Sequence, residues 1–122
     1  MACPWFEPVS VALTLDRPQP ARAPLGKVFE GLCHADASKP VAADPAMLFE
    51  ACNFGYGRST CPRFPANGDG DAVRFTELDG RLIWVIEKDC APVRHGVVDR
   101  GSATGGVLAR QAEAFRKACL NR

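Results

Sequence analysis

Six cysteines lie in this chain of 122 residues, and four of them (Cys3, Cys33, Cys52 and Cys61) fall in the half that holds every proline except Pro92. Thiolates are the ligands of structural zinc and of iron–sulfur clusters, so four in one half of a small chain make a metal centre the first chemistry to weigh. They are separated by 29, 18 and 8 intervening residues. Zinc knuckles place cysteines in pairs two to four residues apart, and no such pair is present. A cubane takes one thiolate per iron at separated corners, so its ligands can come from unrelated loops. The wide spacing therefore points to a [4Fe-4S] cluster on Cys3, Cys33, Cys52 and Cys61. Zinc on the same four ligands is the alternative, and unligated thiols or disulfides are the remaining reading.

Cys3 and Cys61 are each followed by proline. Proline fixes the local backbone, adds apolar bulk and removes a donor that would recruit water, and Cys-Pro also ends the ferredoxin cysteine run. Trp5, Phe6, Phe54, Tyr56 and Phe64 lie near these cysteines in sequence. Gly55 and Gly57 would let main-chain amides approach cluster sulfur. Arg58 and Arg63 flank Cys61, where solvent exposure is the default and charge compensation or docking of an acidic partner the functional alternative. His34, beside Cys33, is a substitute ligand in the zinc case only; His95 is read as exposed.

Over Cys3 to Pro65 and the hairpin after it, the chain resembles small bacterial proteins without an assigned activity that start near Cys-Pro-Trp-Phe and later carry Cys-x8-Cys-Pro-Arg-Phe-Pro. The resemblance implies that residues 3 to 61 form one unit and implies no function. The absence of a Cys-x2-Cys-x2-Cys run sets the chain apart from the bacterial ferredoxins.

The last two cysteines read differently. Cys119 belongs to the apolar stripe of a helix, where a small thiol behaves as a hydrophobe. Cys90 has no cysteine or histidine at ligand-like spacing and reads as structural or incidental. A thiol enzyme using Cys90 or Cys61 would need a low-pKa thiolate that the sequence does not identify. No P-loop, dinucleotide fingerprint or nucleophile elbow is found, and Gly101 to Gly106 reads as a loose start to a helix rather than an anion site. The chain is expected not to be an enzyme by itself.

The elements that must position these residues are uneven. Val9 to Leu15 predicts a short strand bounded by Pro8 and by Pro18-Gln19-Pro20. Pro24 to Ala43 is irregular, with Leu25, Val28, Phe29 and Leu32 as apolar anchors. Asp44-Pro45 starts a helix running to about Asn53, with Met47, Leu48, Ala51 and Cys52 on one face and Gly55 beyond its end. The Asn67 to Gly70 turn cluster separates the halves. Asp79-Gly80 predicts a two-residue hairpin pairing Leu78 with Arg81, Phe75 with Trp84 and Val73 with Ile86. One face then carries Val73, Phe75, Leu82, Trp84 and Ile86. Ile83 and Val85 on the other face make the second strand central, and Val93 to Asp99 can supply a third. From about Ser102 a helix with Leu108, Ala112, Phe115 and Cys119 inward covers the hairpin. The expected architecture is α+β in one domain, residues 1–122. A loop-rich four-cysteine half (1–66) packs on an antiparallel hairpin with its C-terminal helix (71–122).

Lys plus Arg exceed Asp plus Glu by one, which provides no basic field for nucleic acid. The first twenty residues lack a basic region and a long apolar run, so a cytoplasmic protein with no membrane partner is expected. In a reducing compartment six cysteines read as thiols or ligands rather than disulfides. Electron transfer with a redox partner protein, or a place in a larger redox complex, is the expected role.

Overall fold

The computed structural model describes residues 1–12, 23–36, 38–54, 61–65, 70–98 and 106–120, with the main chain alone described at 119 and 120. Two small antiparallel sheets and a C-terminal helix make up the fold, a mixed α+β arrangement.

The first sheet contains β1 (Phe6–Val11), β2 (Phe29–Cys33) and β3 (Val41–Ala42), in that spatial order. The strand expected over Val9 to Leu15 thus begins earlier and contains Pro8 rather than stopping at it. β1 is an edge strand, where a missing N–H is tolerated. Its register slips between Pro8 and Ser10, leaving Val9 bulged and 63% exposed. Gly31 lies opposite Pro8 at this bulge, and a Cβ there would run into the Glu7 carbonyl. Pro18 to Pro20 lie outside the described residues.

The stretch 24–43 is not irregular, as its sequence suggests, but supplies β2 and β3. Among its described residues, the half containing the four cysteines thus carries a three-stranded sheet. Of its anchors, Leu25, Val28 and Phe29 are buried, and Leu32 is half-buried. β2 reads Phe-Glu-Gly-Leu-Cys, without the alternation that marks a half-buried strand, and its partner strand β1 lies well upstream in the sequence.

The helix expected over Pro45 to Asn53 is a single π-helical turn, Leu48–Cys52. The expected start at Asp44-Pro45 is a turn ahead of it: the Asp44 carboxylate accepts from the Ala46 amide at 3.0 Å, while the helical turn itself begins after Met47 without a side-chain cap. Leu48, Ala51 and Cys52 are buried and Met47 packs against them, as the spacing predicts. The turn closes at Asn53, whose amide donates to the Leu48 carbonyl at 3.1 Å, so the difference from the expected helix lies at its start. Gly55 lies outside the described residues.

The second sheet contains β4 (Ala72–Leu78), β5 (Arg81–Lys88) and β6 (Ala91–Val98), with β5 central. The β4–β5 register pairs Leu78 with Arg81, Phe75 with Trp84 and Val73 with Ile86, as Asp79-Gly80 predicts. Both turn residues have positive φ, 52° and 78°, the requirement of a type I′ turn. β6 begins two residues before Val93 because Asp89-Cys90 forms a second two-residue turn, with φ of 52° and 65°, that pairs Lys88 with Ala91. Pro92 is accommodated on this edge strand beside a register shift. Among the residues of the Asn67 to Gly70 cluster, only Gly70 is described.

Helix α1 (Val107–Phe115) continues into a π-helical turn, Arg116–Leu120. Gly101 to Gly105 and the Cys119 side chain lie outside the described structure. Ala112 is buried, Leu108 and Phe115 pack on the core, and the Phe115 ring lies 5.7 Å from that of Phe75. α1 touches β1 as well as the second sheet, so it covers more than the hairpin expected of it. Phe6, Leu25, Phe29, Leu48 and Cys52 join Val73, Phe75, Leu82, Ile86 and Ala112 in one cluster. Both sheets therefore share a core. Among the described residues, no helix is long and apolar enough to cross a membrane.

Candidate metal centre

Four separate segments carry the four cysteines to one place. Ala2 exchanges main-chain hydrogen bonds with Val73 in β4, and the Cys3 amide donates to the Cys52 carbonyl at 3.0 Å. Cys3-Pro4-Trp5-Phe6 then makes a turn closed by the Phe6 amide on the Cys3 carbonyl at 3.2 Å. Proline is pre-set for the second position of such a turn. Cys61-Pro62-Arg63-Phe64 repeats it, with the Phe64 amide 3.2 Å from the Cys61 carbonyl. The turns meet through their aromatics, Trp5 and Phe64 standing edge to face with centroids 5.1 Å apart. Two Cys-Pro-x-Phe turns thus form adjoining walls.

Cys33 ends β2 opposite Phe6, where the register places it beside the first turn. Cys52 ends the π-helical turn, and the next residue locks it in place. Asn53 is fully buried. Its Oδ1 accepts from the Phe29 amide at 2.9 Å, and its Nδ2 donates to the carbonyls of Phe29 (2.9 Å) and Leu48 (3.0 Å). The side chain acts as a short strand against β2, binding the Cys52 turn to the strand that bears Cys33.

Cys3, Cys33, Cys52 and Cys61 all line one cavity of about 20 Å³, walled otherwise by aromatic and apolar side chains and by Arg63. That volume is near the minimum that holds one water-sized particle. Burial pushes the Cys3 thiol up to about 11, with the neighbouring Cys33 and Cys61 adding to it; amides of Trp5 and Phe6 donate to its sulfur and oppose the rise. Burial likewise pushes Cys52 up to about 12, followed by repulsion from Cys3, Cys61 and Cys33. At neutral pH both are thiols, protonated because an isolated thiolate here would lack both water and a counter-charge. A bound cation would supply that counter-charge. The donor set is thus soft and free of carboxylates, desolvated at Cys3 and Cys52 and half-exposed at Cys33 and Cys61, and it suits zinc or iron–sulfur chemistry.

Spacing qualifies the match. Among the described residues, no three histidine, cysteine, aspartate or glutamate side chains are gathered tightly enough to hold a metal ion. Tetrahedral zinc with Zn–S near 2.3 Å draws its sulfurs to about 3.8 Å from one another. A looser ring suits a polynuclear cluster, but the void is too small for one unless a wall yields. The exposed wall is the Cys61 turn, where Pro62 and Arg63 face solvent.

His34 does not reach this cavity; its Nε2 lies 2.7 Å from a Glu7 carboxylate oxygen. Gly55, Tyr56, Gly57 and Arg58, on which the expected glycine amides fall, lie outside the described residues; among those described, Trp5 and Phe6 supply the amides at the Cys3 sulfur. Cys90 is exposed in its turn, apart from the other cysteines of the cavity. His95 is exposed on β6, as expected. A larger groove of about 580 Å³ runs between β1 and α1; among the described residues it is lined by scattered surface charges such as Lys27, Arg110 and Glu113 and by no cysteine.

Two residues that sequence reasoning missed organise the site, Asn53 and Gln111. Gln111 occupies an inward position of α1 between Leu108 and Ala112, and a polar residue there, in an otherwise apolar stripe, was the available signal. Asn53 offered none beyond following Cys52. Comparison with protein-family models, with curated proteins and with solved structures finds no match.

Proposed function

We propose that this protein binds one [4Fe-4S] cluster through Cys3, Cys33, Cys52 and Cys61 and serves electron transfer, alone or as an accessory subunit of a redox complex. The observation that carries this reading is the convergence of thiols from four segments on one apolar cavity. Cross-linking segments otherwise joined by few hydrogen bonds would stabilise the half of the molecule that needs it. The cluster, when bound, supplies reversible one-electron chemistry. The chain's own part is to exclude water with Trp5, Phe6 and Phe64 and to direct the Trp5 and Phe6 amides at the Cys3 sulfur. Four protein ligands leave no open position for a substrate, so this is a carrier rather than an enzyme. The half-exposed Cys61 puts one edge of the centre near the surface, within reach of a redox partner. The cytoplasm is the compartment that keeps such thiols reduced.

Zinc on the same ligands is the second reading, favoured by the single-particle volume of the cavity. Anaerobic purification with metal and sulfide analysis and a visible spectrum separates the two. Brown, reducible protein with iron and acid-labile sulfide is expected, and Cys52→Ser should bleach it. Colourless protein with one zinc replaces the first reading by the second. Protein that takes up neither metal overturns both.

A further inference from the structure

We infer that Gln111, on the C-terminal helix, is the positioning residue that fixes the Cys3 turn and so aims its sulfur into the cavity. The inference deepens the metal-centre reading and rests on it for its purpose, but the geometry stands separately. Gln111 is fully buried. Its Nε2 donates to the Cys3 carbonyl at 2.7 Å and to the Phe6 carbonyl at 2.8 Å, the first and last carbonyls of the Cys-Pro-Trp-Phe turn. One side chain 108 positions away in sequence therefore spans the turn end to end.

The remaining polar atom makes this more than helix packing. Gln111 Oε1 is buried and makes no hydrogen bond. An unsatisfied buried acceptor is destabilising, so an apolar side chain at this inward position would pack without that penalty. What an apolar residue would lose is the double donation. Both amides that reach the Cys3 sulfur, those of Trp5 and Phe6, belong to the turn that Gln111 clamps. Holding both carbonyls orients the intervening peptide units, and through them the sulfur. In metal sites, partners that orient a ligand in this way change affinity about 10–100-fold when removed.

The test compares Gln111→Leu with Leu82→Ala, a cavity in the second sheet that lowers stability without removing a hydrogen bond to the turn. In the loaded protein, Gln111→Leu should lower metal affinity, read as loss to a chelator, about tenfold or more. It should also lower the midpoint potential, because fewer amides are directed at sulfur; Leu82→Ala should leave both readouts unchanged. In metal-free protein, alkylation of Cys3, read by peptide mass, should accelerate in Gln111→Leu relative to Leu82→Ala. If Gln111→Leu alters only the melting temperature, matching Leu82→Ala in chelator loss and Cys3 alkylation, the inference is overturned. If the wild type takes up no metal, the metal-centre reading fails, and Cys3 alkylation still decides whether Gln111 positions the turn.

Discussion

The two sheets of this protein have the same number of strands and reach the same core by opposite routes. The second sheet is a meander joined by Asp79-Gly80 and Asp89-Cys90, so each strand pairs with its sequence neighbour. The first joins β1 to β2 across a long connection, has a proline and a bulge in its edge strand, and ends in a two-residue β3. Its cohesion comes from side chains standing in for strands: Asn53 against Phe29, and Gln111 against Cys3 and Phe6. Local hairpins close small loops at little entropic cost, whereas the first sheet must order long connections before any contact rewards it.

The comparison can be broken most sharply at Asn53. Asn53→Ala strands the Phe29 amide and carbonyl together in the core and should cost about 3 kcal/mol or more. The chain has two tryptophans, Trp5 beside the cavity and Trp84 in the second sheet. Single-tryptophan variants under urea should show the Trp5 signal lost first in Asn53→Ala, while Trp84 persists longer. Coincident transitions would show that the sheets do not differ in the way described.

Alkali probes the cavity alone. The folded-state pKa values of Cys3 and Cys52 lie above the ordinary thiol value of 9. The folded state therefore holds protons that the unfolded chain releases, and stability is full below pH 9 and falls as the pH rises towards 11–12. Metal-free protein should lose about 2–3 kcal/mol from Cys3 by pH 11. Cys3→Ala should flatten that slope, as seen in denaturation midpoints between pH 8 and 11. An unchanged slope would mean that the Cys3 thiol is not desolvated.

The smallest effect belongs to the second sheet. Cys90 has φ of 65°, a left-handed conformation that its side chain disfavours and glycine accepts. Cys90→Gly should raise stability by about 0.5–1 kcal/mol, visible as a higher melting temperature, with the metal content of the protein unaffected. A fall in stability would show that the exposed thiol contributes a contact beyond its turn.

The hairpin was legible to the residue because type I′ turns are written in two adjacent letters and alternation assigns the faces. Cys90 hid the second turn, since a residue with a side chain seldom occupies that position. The Asp44 turn was legible too, but the late start of the helical turn, after Met47, was not. In the first sheet, Phe-Glu-Gly-Leu-Cys carries no strand period, and Pro8 looks like a boundary until it is known to lie on an edge. For the candidate site, sequence supplied the residue types and the two Cys-Pro-x-Phe segments.

By itself, then, the chain determined what depends on neighbours: a tight hairpin turn, the Asp44 turn, two proline-braced turns, an amphipathic stripe. The tertiary structure alone decided that Cys3, Cys33, Cys52 and Cys61 border one cavity, and that Asn53 and Gln111 brace it. These are contacts between distant segments. Their free energy comes from burial and mutual pairing, which no local pattern encodes.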